Sequence, residues 1–213
     1  MAEYVTYIAK LCESRARREL VDHLRNANED WQTAGDIVGE TDLDRPTVEE
    51  EIEFLVLAGI ADSSDAHHRF TQYRPARSTE PRKALQLANE ALADTARAPS
   101  EHEGTPLTFL YESAARRELV DLFLEAGVDW EDGNDPLSKL EITNRTSADW
   151  PLVRDEMEIL YAYDLVAESN EFGYPRYVPQ VESRTFERLL ALNETLADAV
   201  RDTVDERGEQ LEL

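Results

Sequence analysis

The chain has a single cysteine, Cys12, among 213 residues. That excludes an internal disulfide framework and leaves no CxxC or Cys/His spacing for a metal. Lysine is nearly as scarce, with only Lys10, Lys83 and Lys139 among 22 cations. Long apolar runs are missing too. The longest, Phe54 to Ala61, has eight residues, far short of the roughly 20 that a bilayer-spanning helix needs. The opening MAEYVTYIAK lacks the basic-then-apolar order of a secretion signal. No Gly-rich phosphate loop, GxSxG or HExxH occurs. The expectation is a soluble, cytoplasmic, non-enzymatic protein with no cofactor, no metal and no membrane contact.

What the chain has in excess is negative charge. Asp and Glu number 46, giving a formal net charge of −24 and an isoelectric point near 4.4. Phosphate-binding surfaces are built from Lys and Arg, so this balance argues against DNA. The carboxylates, however, are spread along the whole chain, and together with the shortage of lysine this resembles proteins of salt-accumulating halophiles. At about 1 M salt the Debye length is roughly 3 Å, so global repulsion from DNA is mostly screened. Local charge then becomes the useful quantity.

An internal repeat organises the sequence. Glu13 to Asp22 reads ESRARRELVD and Glu112 to Asp121 reads ESAARRELVD, identical at nine of ten positions at a spacing of 99. Trp31 matches Trp130, Tyr73 and Pro75 match Tyr177 and Pro179, and NEALAD at Asn89 matches NETLAD at Asn193. Between the copies, RAPSEHEGTP at Arg97 to Pro106 is dense in Pro, Gly and Ser without periodic hydrophobes and reads as a linker. The expected organisation is copy one at 1–97, a linker at 98–106 and copy two at 107–213.

Within copy one, Ser14 caps a predicted helix with Leu20, Val21 and Leu24 on one face. A second helix opens at Thr33, buries Ile37 and breaks near Thr41. A third follows the cap Asp44 and buries Val48, Ile52 and Leu55. Two short strands, Ile60 to Asp62 and Arg69 to Arg74, flank a polar tip, and a last helix runs from about Pro81 to Ala96. Copy two repeats the order: Ser138 and Asp149 open its second and third helices, Leu165 to Glu168 and Tyr174 to Val178 form the hairpin, and Arg184 to about Glu206 the final helix.

Three helices, a hairpin and a terminal helix resemble the winged helix-turn-helix fold. Thr33 to Val48, TAGDIVGETDLDRPTV, is similar to the second helix, turn and third helix of ArsR-like transcriptional regulators. ESAARRELVDLF, followed by Trp130 and a Tyr-x-Pro strand, is similar to winged-helix regulators of halophilic archaea. The expected fold class is therefore mainly α with small β-hairpin wings, as two tandem winged helix-turn-helix domains each followed by a C-terminal helix. The resemblance implies that the third helix lies in the major groove of double-stranded DNA, with the hairpin against adjacent phosphate. It also implies promoter occupancy beside basal transcription proteins.

If Val48, Ile52 and Leu55 face the core, Arg45, Thr47, Glu50 and Glu51 face outward, with Trp150, Leu152, Asp155 and Glu156 at the matching places in copy two. Regulators that read bases carry donors such as Arg, Gln or Asn there, and the run Glu49 to Glu51 departs from that pattern. Thr33 to Ile52 sums to −6, whereas Ser138 to Met157 sums to −1. Copy two is thus the better DNA-contacting candidate. Lys139 and Arg145 are expected toward phosphates, Arg154 near base edges, Trp150 at the helix start either as an exposed contact or partly packed against the turn, and Arg176 on the wing strand. In copy one, Arg45 and Thr47 join the wing-tip residues His67, His68 and Arg69. A rival reading is a protein-protein adaptor whose acidic third helix meets a basic partner or imitates DNA.

Other features have plainer readings. Arg17, Arg18, Arg116 and Arg117 either reach phosphates or pair with the neighbouring Glu13, Glu19, Glu112 and Glu118 on a solvated helix face. Trp31 and Trp130 plug the core, Cys12 is a buried inert thiol, and the terminal helices pair with each other within one chain or between two chains.

Overall fold

The computed structural model describes residues 6–65, 70–95, 104–128, 130, 135–169 and 173–207. Local chemistry sets most helix starts. Thr6 caps α1 (Tyr7–Leu11) by accepting from the amide of Ala9, and Ser14 caps α2 (Arg15–Asn26) by accepting from that of Arg17. A short strand β1 (Gln32–Thr33) leads into α3 (Ala34–Glu40), where Thr33 and Asp36 form a reciprocal capping box. Asp44 caps α4 (Arg45–Leu57), whose second residue is Pro46. The hairpin strands β2 (Ala61–Ser64) and β3 (Gln72–Pro75) follow, then α5 (Glu80–Thr95).

The second half takes the same order: α6 (Pro106–Leu110), α7 (Ala114–Val128), β4 (Leu137–Ser138), α8 (Lys139–Arg145), α9 (Trp150–Ala162), β5 (Val166–Ser169), β6 (Arg176–Pro179) and α10 (Arg184–Arg207). The protein is mainly helical with two three-stranded antiparallel sheets, ordered β1-β3-β2 and β4-β6-β5. No helix among the described residues is long and apolar enough to cross a membrane. Two elements per half go beyond the sequence expectation: the five-residue helices α1 and α6, and the strands β1 and β4 that turn each hairpin into a sheet. Pro106, expected to close the linker, instead opens α6, with Thr105 as its cap.

Equivalent turns follow the third-helix positions. After α4, Gly59 adopts φ +68°, its amide donates to the Val56 carbonyl, and the amide of Ile60 donates to that of Leu55. After α9, Asp164 takes φ +52° and Leu165 donates to Leu160. Both are the double hydrogen-bond closure that needs a left-handed residue. Thr79 then donates to the carbonyl of Gly59 and Ser183 to that of Asp164, at 2.7 and 2.6 Å, so α5 and α10 leave their hairpins in the same way.

The halves are joined by exchange. α5 packs along α10, while α1 sits on α10 and α6 sits on α5. Each short helix is therefore covered by the terminal helix of the other half. Tyr7 N–H donates to Asn193 Oδ1 at 2.7 Å and Leu107 N–H to Asn89 Oδ1 at 3.1 Å, satisfying helix-start amides that have no partner within their own helix. Thr6 donates to Asp121 at 2.6 Å, and Thr108 donates to Asp22 at 2.9 Å. One continuous hydrophobic cluster results, running from Ile8 and Leu11 to Leu196 and Val200. The last helix, with 24 residues about 36 Å long, reaches back far enough for Thr203 Oγ1 to donate to the Leu57 carbonyl of α4.

Trp31 does not plug the core as expected. It is 38% exposed and stacks under the guanidinium of Arg74 at 4.3 Å, because the adjacent strand β3 supplies a cation in place of a hydrophobic pocket. Trp130 is half-buried. Cys12 is fully buried at the end of α1, and burial pushes its thiol up to about 12, which leaves it protonated and unreactive.

Candidate nucleic-acid interface

Helix, turn and helix are fixed by the same devices in both halves. Ile37 and Ile142 are fully buried under α3 and α8. Thr41 and Thr146 donate back to the carbonyls of Ile37 and Ile142 at 2.8 and 3.0 Å. The turn is then tied to the preceding helix: the Asp42 amide donates to Glu19, and the Ser147 amide and hydroxyl donate to Glu118, all at 2.6 Å. Val48, Ile52 and Leu55 of α4 are fully buried, as are Val153 and Leu160 of α9.

Glu51 and Glu156 depart from the outward placement expected for them. Glu51 accepts from Ser14 and pairs with Arg17 at 2.6 Å, and Glu156 pairs with Arg116 at 2.7 Å with both residues buried. The arginines recurring in the repeat are therefore clamps between α2 and α4 and between α7 and α9. Arg17 keeps a looser contact with Glu13 at 3.5 Å. Each clamp arginine also lies over an aromatic face, Phe54 or Phe109, at 4.5 and 4.3 Å. Arg18 and Arg117 donate to the carbonyls of Cys12 and Glu13.

The expected contact residues fall into three groups. In the second half, Arg145 pairs with Glu125 at 2.5 Å and Arg154 with its neighbour Asp155 at 2.8 Å. Arg176 bonds Glu141 at 3.0 Å, the Pro136 carbonyl and the Tyr174 hydroxyl. Lys139 lies over the Trp150 ring at 4.7 Å, and Trp150 is half-buried against Tyr177, with ring centroids 5.8 Å apart. Of the two placements open for Trp150, the structure gives partial packing over an exposed contact, with the indole against β6. In the first half, Arg45 is exposed, pairs with Glu49 at 2.7 Å and lies near Phe70, while Thr47 is half-buried beside its cap Asp44. His67, His68 and Arg69 lie outside the described residues.

Arg145 and Arg154 thus stand in ion pairs at the surface, where solvent and salt screen the attraction. Donating hydrogen bonds to Asp155 holds the Arg154 guanidinium above its usual range, and accepting them from Ser138 holds the Glu141 carboxyl below its own. On the same elements, Leu140 of α8 is 67% and Leu152 of α9 45% exposed, and Tyr174, just before β6, is 53% exposed. Leu140 and Tyr174 were not singled out by sequence, since neither interrupts a periodic pattern. Asp22, Asp121, Asn89 and Asn193 were also missed as joints between the halves, although each pair recurs at matching repeat positions.

Comparison with protein-family profiles, curated proteins and solved structures gives no match.

Proposed function

We propose that this chain is a DNA-binding transcriptional regulator, a covalent pseudo-dimer of two winged helices occupying promoters at high salt. The observation that supports this reading is the pairing of two identical element orders through α5 and α10; on this reading one chain supplies two helix-turn-helix units. Dimeric regulators present two recognition helices across a two-fold axis about one DNA turn, roughly 34 Å, apart. The α9 unit is the principal contact, through Arg145, Arg154 and Arg176, because its local charge is close to neutral. The α4 unit carries Glu49, Glu50 and Glu53 on its exposed face and contributes less.

A second reading has its own support. Exposed Leu140 and Leu152, on the same helices as the paired Arg145 and Arg154, suit a protein partner better than phosphate, which fits an adaptor role. Chromatin immunoprecipitation with sequencing separates the two: reproducible promoter peaks sharing a motif favour the regulator, and co-purifying proteins without peaks favour the adaptor. In vitro, Arg145→Glu with Arg154→Glu is expected to weaken promoter-fragment binding in molar salt much more than Arg45→Glu. The opposite order would reverse the assignment of the two units.

A further inference from the structure

The two halves differ in one place where their hydrogen bonding makes them directly comparable. Thr79 and Ser183 hold the starts of α5 and α10 identically, and Asn89 and Asn193 occupy matching sites 104 positions apart. At that spacing Arg82 corresponds to Phe186, and Gln86 to Leu190. In the preceding helices, at the repeat spacing of 99, Arg25 corresponds to Leu124. In the second half Phe186 and Leu124 are buried, at 0% and 1% exposure, and fill the space between α7 and α10. In the first half the same space is open. A half-enclosed cavity of about 270 Å³ lies between α2 and α5, with Val21, Leu24, Ile60 and Leu85 as its floor and Arg25 and Arg82 at its rim.

Those two arginines stand where the sister half has hydrophobes, in a chain with twice as many acids as cations. Neither forms a carboxylate ion pair among the described residues. Arg82 spends one N–H on the Ala76 carbonyl at 2.6 Å, which leaves the rest of its fork available. The rim acid Glu90 is common to both halves, as Glu194 in the second, and is already engaged by Gln86 at 2.8 Å. What is particular to the first half is therefore an apolar floor beneath two guanidiniums.

We propose that this cavity binds a small amphipathic carboxylate, its hydrocarbon body on Val21, Leu24, Ile60 and Leu85 and its carboxylate held by Arg25 and Arg82. Guanidinium groups recognise carboxylates through parallel N–H donors, and sites of this kind are apolar with a few convergent polar groups. At about 30 Å³ for each water, the volume suits a phenyl ring or a six-carbon chain. An occupant bridges α2 to α5, the helix that packs on α10 and holds α6 through Asn89. Its use as an effector site for promoter binding rests on the reading above; the binding itself does not.

The test is calorimetric titration of the full chain without DNA, at constant ionic strength, using hexanoate and benzoate, with hexan-1-ol and benzylamine as controls. One saturable site per chain is expected for the carboxylates and none for the alcohol or amine. Arg25→Gln, at an exposed position, is expected to weaken carboxylate binding about tenfold. Arg25→Leu with Arg82→Phe, which installs the residues of the sister half, is expected to abolish it. Absence of saturable binding, two sites per chain, equal binding of the controls, or unchanged affinity in Arg25→Gln overturns the proposal.

Discussion

The amide of Tyr7 donates to the side-chain oxygen of Asn193 at 2.7 Å across 186 positions of sequence, and Leu107 makes the same bond to Asn89. These bonds hold each short helix against the other half. Asn89 is 1% exposed, whereas Asn193 is half-buried. Asn89→Ala, which strands a buried amide, is expected to cost about 1–3 kcal/mol, and Asn193→Ala less, because water reaches that site. Chemical denaturation at fixed salt ranks them; equal costs would contradict the difference in burial.

Arg116 and Glu156 are 7% and 8% exposed. Arg116→Met leaves a buried carboxylate without its cation and is expected to destabilise by about 3–5 kcal/mol. Adding Glu156→Leu is expected to recover most of that loss. Arg17→Met, at the more open pair with Glu51, is expected to cost less. A double variant no more stable than the single would show that the helices, and not the charges, set the penalty.

Burial pushes the Asp121 carboxyl up to about 7, against the lowering effect of the hydrogen bond from Thr6 and of the nearby Arg117. A carboxyl raised on folding binds its proton more tightly in the native state. Its contribution is therefore full below the ordinary aspartate range and is lost as pH rises through about 7. Asp121→Asn keeps the shape and removes the titration. Its stability relative to the unaltered chain is expected to increase between pH 5 and pH 8, as read from denaturation midpoints. A gap that stays flat or closes would show that Asp121 titrates normally.

A Cβ on Gly127 would lie 2.3 Å from Cζ and 2.5 Å from Cε1 of Phe186, whose ring is fully buried. Gly127→Ala is expected to destabilise by about 1–3 kcal/mol through overpacking, and Phe186→Leu in the same chain to relieve part of that. Thermal melts of the single and double variants are the measurement; a neutral Gly127→Ala would mean that α7 and α10 can separate without cost.

Helix starts were legible because their signals are local. Ser14, Thr33, Asp44, Ser138 and Asp149 all cap where the sequence places them. The buried stripe of Val48, Ile52 and Leu55 follows from spacing alone. α1 and α6 were not legible, since five residues give no periodicity and their stability comes from the opposite half. Glu51 and Glu156 were placed outward by elimination, and only the packing of α2 on α4 and of α7 on α9 brings an arginine to them. Arg145 and Arg176 were visible as residue types, but their carboxylate partners Glu125 and Glu141 lie 20 and 35 positions away, beyond any local pattern.

The exchange of short helices also orders events during synthesis. α6 emerges soon after α5 and can cover it at once, whereas α1, the first of the described helices, rests on α10, the last of them. The buried faces of Ile8 and Leu11 therefore stay without their final cover until α10 has left the ribosome. A chain truncated before Arg184 is expected to keep those residues accessible to protease, so that α10, though far from α1 in sequence, decides when α1 becomes covered.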